Sequence, residues 1–572
     1  MAGFEVKSNK KYSLPVLSVA MLTVTVLRIY LADMIPMLLQ GDAKYDDFLM
    51  IRYAETIEQG RWLGDYSHVT LIKTVSAPIL MIIGKTIGLK YNIFSVLLYV
   101  LATFAIVFAL KRLIRNNWWT FAAYTFLLYS PVMFHEENIQ KVYRGGFIVP
   151  FALLVIAAVI GMFAYRDNHN MIIVWAVVLS ISLPVFWYLK EDSIWILPFV
   201  IAGTVMNLML AIWEKNDGWK YNLIITVIPI IVFLVCIFIY RGMNYHCYRV
   251  WTDIDRSNTY FEKTISDILH YENAGEGTSW ITRDTMEKMC DNSPTLDSIR
   301  QNLMEVYDYR AEENGDVDGD FVIAVFREAG AISGLYDQNG DYTEEFYKNV
   351  YNELEMAYNS GKLARSDKIF ISSIARGYSP DELCEYYGKR LKNCVKVVLF
   401  YEHNETGTKK SVGEEEKIKR MAVYAGDDYI TDNTSEKHLN RYRTGTNTAE
   451  KIVGIYRKTG RPVLLIATVG FIYGFVTVIV NLKNKTANNN NLWIMIISAG
   501  LMASVLLLIV AVLWFCNFLT DWKVYDYCSA IIPVIELLEM IGIYFFICGI
   551  SRLFTGYFVS RREQTYGKNA CI

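Results

Sequence analysis

The apolar residues of this 572-residue chain are gathered into runs of about 20, each long enough as a helix to cross a hydrocarbon core of roughly 30 Å. In lipid every backbone N–H and C=O must find its partner within the protein, so such runs fold as helices. The chain reads as a polytopic α-helical membrane protein. Ten spans are expected, near 13–34, 92–110, 117–134, 146–165, 171–189, 193–213, 221–240, 462–482, 491–516 and 527–549. Lys7, Lys10 and Lys11 precede the first run, which continues past Ile29 without a small-residue cleavage site. It is expected to stay as an anchor.

The stretch 69–89 is apolar too, but Lys73, Pro78, Gly84 and Lys85 interrupt it. We expect it to be re-entrant or interfacial, packed against protein without crossing. Loop charge supports that choice. With ten crossings, Lys111, Arg112, Arg115, Arg166, Lys215, Lys220, Lys483 and Lys485 share one side with both termini. The short loops opposite hold few basic residues. The bias of Lys and Arg towards the cytoplasm then puts the termini inside and residues 241–461 outside a multi-pass cell-membrane protein.

Residues 241–461 are polar, rich in Asp, Glu, Lys and Tyr. Helical spacing of apolar residues at 295–309, 320–332 and 343–358, with short β-rich runs at 368–373 and 395–401, predicts one mainly helical α+β domain. The chain then divides into a membrane module (1–240), this extracytoplasmic domain (241–461) and C-terminal spans with a cytoplasmic tail (462–572). Nine cysteines show neither CxxC nor zinc-type spacing. Cys247, Cys290, Cys384 and Cys394 fall in the polar insert and leave one or two disulfides open. A net charge of −2 offers no basic field for nucleic acid.

The chemistry gathers in the loop 41–78, GDAKYDDFLMIRYAETIEQGRWLGDYSHVTLIKTVSAP. Asp46 and Asp47 open an amphipathic segment. Adjacent carboxylates cannot share one helix face, so one can reach a cavity while the other caps the helix or holds a cation. Lys73 lies in the apolar run VTLIKTV, where an ammonium is costly without a partner, and a phosphate would be one. Arg28, in the outer third of span one, makes the same demand, with Asp33 about one turn on. Glu136 and Glu137, in SPVMFHEENIQKVYRGG, follow span three on the same side, and Lys190, Glu191 and Asp192 form a short turn there. Glu536 and Glu539 are one helical turn apart in the last span. No Walker A, GxSxG or HExxH sequence is present, nor a GxGxxG opening a helix. The run NGDVDGD (314–320) imitates a calcium loop, but its twelfth position is Val325 rather than Glu.

The order of span one, an acidic pair in a long outer loop, YAETIEQGRWLGDY and a Lys before a Pro-containing apolar element resembles the GT-C superfamily of membrane glycosyltransferases. The YAE…G.W…K…P cadence is similar to that of lipid A aminoarabinose transferases and protein O-mannosyltransferases. By motif the resemblance covers residues 13–150. It implies a polyprenyl-phosphate or polyprenyl-diphosphate sugar donor on the outer face, an envelope polymer, lipid or protein as acceptor, and inverting transfer. Asp46 or Asp47 would be the general base or a metal-associated carboxylate. Lys73 would bind the donor phosphate, helped by Arg28 or Arg144, and Glu136, Glu137 and Glu191 would form a second acidic site. A divalent cation, Mg or Mn, would sit on Asp46 or Asp47 with Glu137. Two other classes remain open on the residues alone: a transporter or flippase of lipid-linked saccharides, and a membrane-anchored ectodomain that only binds.

Overall fold

The computed structural model describes residues 10–215, 218–311, 315–484, 489–516 and 521–568. The N-terminal helices are α1 (Lys10–Asp33), α2 (Asp47–Glu58), α3 (Ser76–Thr86), α4 (Tyr91–Lys111), α5 (Asn117–Leu128), α6 (Glu136–Ile139), α7 (Gly145–Ala164), α8 (His169–Trp187), α9 (Leu197–Glu214) and α10 (Trp219–Tyr248). A polar body follows with α11 (Tyr260–Leu269), α12 (Arg283–Asn292), α13 (Pro294–Asp297), α14 (Arg300–Arg310), α15 (Phe321–Ile332), α16 (Gly340–Asn359), α17 (Pro380–Phe400) and α18 (Glu415–Ala425). The chain closes with α19 (Glu436–Lys483), α20 (Asn489–Phe515), α21 (Asp521–Tyr527) and α22 (Ile532–Lys568).

Among the described residues nine helices are long and apolar enough to cross a membrane, which makes this a polytopic helical membrane protein. At the centre lies α7, apolar all round because it is buried on every side, packed on α4 and α8. Close approach needs small residues: a Cβ on Gly161 would come within 2.2 Å of the Trp175 indole. The same device joins α19 to α22, where a Cβ on Gly470 would lie 1.9 Å from the Gly542 carbonyl oxygen.

The expected span at 117–134 differs. It is a twelve-residue helix, α5, followed by the 3-10 turn Pro131–Phe134. Proline disfavours helical backbone in the residue before it, and Ser130 accordingly leaves the helix at ψ 131°. The stretch still runs back alongside α4 and α1, with Tyr99 donating to the Leu127 carbonyl at 2.7 Å and Tyr129 to that of Val24 at 2.9 Å. The stretch 69–89 contributes only α3, eleven residues and so about 16 Å, too short to cross. Ile79, Ile83 and Ile87 project outward from it at four-residue spacing, the pattern of an interfacial helix.

Contacts sort the loops into two ends of the bundle. At one end Arg112 pairs with Asp167 and Arg166 with Glu214 at 2.8 Å. At the other, Asn92 donates to the Ala32 and Ile35 carbonyls, and Thr74 to that of Tyr188. The loop 41–78, the turns at 135–144 and 190–192 and the polar body all gather at this second end.

The polar body is helical, where an α+β domain was expected. No strand forms among the described residues, only isolated bridges such as Ile369 with Tyr378. The apolar run 395–401 completes α17 instead. That helix is nucleated by a capping box, in which Ser379 and Glu382 satisfy each other's backbone N–H groups, and by Pro380 in its first turn. Its last residues then bury Val397 and Val398. The body has its own core around Trp280, Leu303, Phe326 and Tyr347. Both its boundaries fall within helices, since α10 continues to Tyr248 and α19 begins at Glu436.

Candidate active site

The loop 41–78 is clamped from both sides. Its α2 lies beneath α18 through Arg420 to Glu55, and Tyr45 donates to Glu328 of α15. The segment before α3 is held more tightly still. Leu71 adopts a left-handed backbone (φ 63°), costly for a residue with a branched side chain. Three hydrogen bonds hold the segment there: Tyr53 hydroxyl to Val69 O at 2.6 Å, Asp255 N to Leu71 O at 2.9 Å and Thr74 to Tyr188 O at 2.7 Å. Asp255 is itself fixed by two 2.6 Å contacts with the buried Arg327 guanidinium. The outcome is an inward-turned Lys73, 9% exposed.

Lys73 faces a polar cavity of about 280 Å³ lined by Asp46, Asp47, Glu137, Tyr143, Arg144 and Asp320, with Lys141, Lys190, Lys523 and Tyr527 completing it. Asp46 occupies the N-cap position of α2 but does not cap it. Its carboxylate instead takes the Tyr143 hydroxyl at 2.9 Å and the Lys73 ammonium at 3.2 Å. Its side chain is half-exposed, and Lys73, Arg144 and the Tyr143 hydroxyl hold its carboxyl down at about 2.

Asp47, one residue on, is in the opposite situation. It is 3% exposed and its Oδ2 has no hydrogen-bond partner. Burial pushes its carboxyl up to about 8 against the pull of Lys141, with the nearby Glu137 and Asp46 charges adding to the rise. Two neighbouring aspartates therefore sit in contrasting states, one a committed ion-pair partner and one an acid titrating near neutrality.

A second chamber of about 400 Å³ adjoins the first and shares Lys73, Arg144, Lys190, Asp320 and Tyr527 with it. Its far wall is apolar: Leu508, Ala511, Val512 and Phe515 from α20, with Ile371 and Ile374 from the polar body. Cations converge where the chambers meet. Arg144 pairs with Glu191 at 2.6 Å, Lys190 with Asp192 at 2.7 Å, and Arg256 with Asp320 at 3.4 Å. Glu191 is held well below the ordinary carboxylate range; burial opposes that, and Arg144 with Lys73 overcomes it. Burial raises Asp320 despite Arg256 and Lys73, and depresses Lys73, with Arg144 adding to the fall.

Of the residues singled out from the sequence, Asp46, Asp47, Lys73, Arg144 and Glu137 line the polar cavity, and Glu191 borders the second chamber. Glu136 and Glu137 do not act as a pair. Glu137 binds Lys141 and faces the cavity, whereas Glu136 binds Lys409 and borders a separate cleft with Glu402 and Glu450. Arg28 does not line either chamber. It is wholly buried in the bundle, donates to the Met133 carbonyl at 2.8 Å and stacks over Phe134 at 4.1 Å. Asp33 is not its partner, being taken by Lys90 and Arg441. Glu536, in the last span, accepts from Ser130 and Tyr401 within the bundle core.

Among the described residues no three His, Cys, Asp or Glu groups converge as a set that could hold a metal ion. Glu137, expected to share a cation with Asp46 or Asp47, is committed to Lys141 and lies 3.9 Å from Lys523. Sequence reasoning did not bring Lys141, Tyr143, Lys523 or Tyr527 into the site. Lys141 and Tyr143 lie in the same NIQKVYRGG run as Arg144, and the run itself was the available signal. Its two glycines let α7 start against α6, since a Cβ on Gly145 would lie 2.4 Å from the Glu137 carbonyl oxygen. Asp320, from the run that imitates a calcium loop, reaches the cavity only because the polar body docks over it. Compared with models of protein families and with curated proteins, the chain finds no match.

Proposed function

We propose that the protein is a membrane glycosyltransferase of the GT-C kind, moving a sugar from a polyprenyl-phosphate or polyprenyl-diphosphate donor to an envelope polymer, lipid or protein acceptor on the outer face. One observation carries this reading: a polar chamber and an apolar chamber walled by an apolar span meet at Lys73, Arg144 and Lys190. A lipid-linked sugar phosphate has the same polarity profile, with a tail, an anionic joint and a polar head.

A glycosyl phosphate is already activated, so the protein has to orient the acceptor, remove its proton and stabilise the departing phosphate. In this reading Asp47 accepts the proton of the acceptor hydroxyl as that oxygen attacks the anomeric carbon. The C–O bond to phosphate breaks, and Lys73, Arg144 and Lys190 take up the charge that develops on the leaving oxygen. Asp46 and Tyr143 hold the Lys73 ammonium in place. Asp46, Glu137 and Glu191 are each committed to a protein cation, and no step is routed through a metal.

The test is transfer of radiolabelled sugar from membrane lipid in wild type, Asp47→Asn, Lys73→Ala and Arg144→Ala. Loss of transfer with intact protein levels is expected in all three. Full transfer in folded Asp47→Asn and Lys73→Ala, or movement of lipid-linked saccharide across vesicles without any transfer, would reject the enzyme reading.

A further inference from the structure

Cys394 belongs to α17 of the polar body, and Cys528 lies just ahead of the last apolar span, yet their side chains meet within hydrogen-bonding reach. Both are buried, at 2% and 0% exposure, and in this structure both are free thiols, as are Cys247, Cys290 and Cys384. The meeting follows from how α17 docks. It packs along α21, and its first half is tied to α20 by Tyr386 donating to Leu513 O at 2.9 Å and Tyr387 to Val510 O at 3.1 Å. The other insert cysteines are placed differently: Cys247 and Cys384 are exposed, and Cys290 lies in the core of the polar body.

We propose that Cys394 and Cys528 are joined as a disulfide in the mature protein, a covalent tie between the polar body and the membrane bundle. The oxidant is a dithiol–disulfide partner, either a protein or a small-molecule disulfide. One cysteine thiolate attacks a sulfur of that disulfide and releases a thiol. The second cysteine thiolate then attacks the mixed disulfide and releases the other. Two S–H bonds are lost, one S–S bond forms, and the two sulfurs of the oxidant leave as thiols carrying both electrons. Burial sets the timing, because exchange must occur while α17 is docking, and the closed pair is then shielded from reductants. The tie acts on the cavity wall, since the neighbouring Tyr527 and Ser529 both line the polar chamber and Lys190 lies 4.3 Å from the Tyr527 ring centre. It requires this end of the bundle to lie in an oxidising compartment, as loop charge predicts.

To test it, full-length protein is extracted from its native membranes, unfolded in N-ethylmaleimide and digested for mass spectrometry before and after dithiothreitol. A linked Cys394–Cys528 peptide is expected, separating into two peptides on reduction. The melting temperature is expected to fall on reduction in wild type and to be indifferent to reduction in Cys394→Ser. Maleimide on both cysteines before reduction, or a link from either one to Cys516, overturns the proposal. The peptide readout uses wild-type protein, so it stands even if the variant does not fold. No transferase activity is needed, so its result is independent of the proposed function.

Discussion

Replacing Asp47 by Asn keeps the side-chain shape and removes its ionisation, and the structure gives this change opposite effects on stability and rate. Burial raises the carboxyl from 3.8 in the open chain to about 8 in the fold. Between those values the folded protein holds a proton that the unfolded chain has lost, so stability falls as pH rises from about 4 to about 8. At roughly 1.4 kcal/mol per pKa unit, the penalty at pH 7 reaches at most about 4 kcal/mol. Asp47→Asn should therefore melt above wild type, by a margin that grows from pH 5 to pH 8. Its kcat/KM should fall by roughly 10²- to 10⁴-fold, the usual contribution of a general base. In wild type, a base titrating near 8 is about one-tenth ionised at pH 7, so kcat/KM should rise about tenfold between pH 7 and pH 9. Thermal melts across pH, with transfer of labelled sugar in detergent or nanodiscs, measure both. A wild-type rate that is flat from pH 6 to pH 9, or Asp47→Asn with full activity, would refute the reasoning.

Three further outcomes test other parts of the structure. Lys73→Ala should raise KM for a polyprenyl-phosphate donor by roughly one to two orders of magnitude, the scale of a lost charge-assisted contact, and donor titrations read it. Arg327→Ala would leave the Asp255 carboxylate without its paired guanidinium. It should cost about 3 kcal/mol and expose the junction between loop and polar body to limited proteolysis. Gly470→Leu would drive a side chain into the Gly542 backbone, where even a Cβ finds only 1.9 Å; it should separate α19 from α22 and lower the melting temperature, whereas Gly454→Ala, with nothing within 4 Å of its Cβ, should not.

The sequence by itself determined the membrane class, the position of most apolar helices and the interruption of the apolar run at 69–89, which forms only a short helix. Those properties follow from run length, from the cost of unpaired backbone in lipid and from loop charge, all local along the chain. It also pointed to Asp46, Asp47, Lys73, Arg144 and Glu137, because charged groups beside apolar runs stand out against their neighbours. The break at Pro131 was written there too, as a residue that a hydropathy window averages away.

Only the tertiary structure decided the division of labour within that set. Asp46 and Asp47 are adjacent and chemically identical, and they differ because one meets Lys73 and Tyr143 while the other is sealed among Lys141 and Glu137. Arg28 resembles Lys73 in sequence, as a cation in an apolar run, but its helix turns it into the bundle. Asp320 and Cys394 acquire their neighbours from helices far along the chain. Such properties arise from burial and from partners brought together across long loops, and neither is a function of sequence position. The contrast between the two aspartates is therefore the clearest thing that folding added.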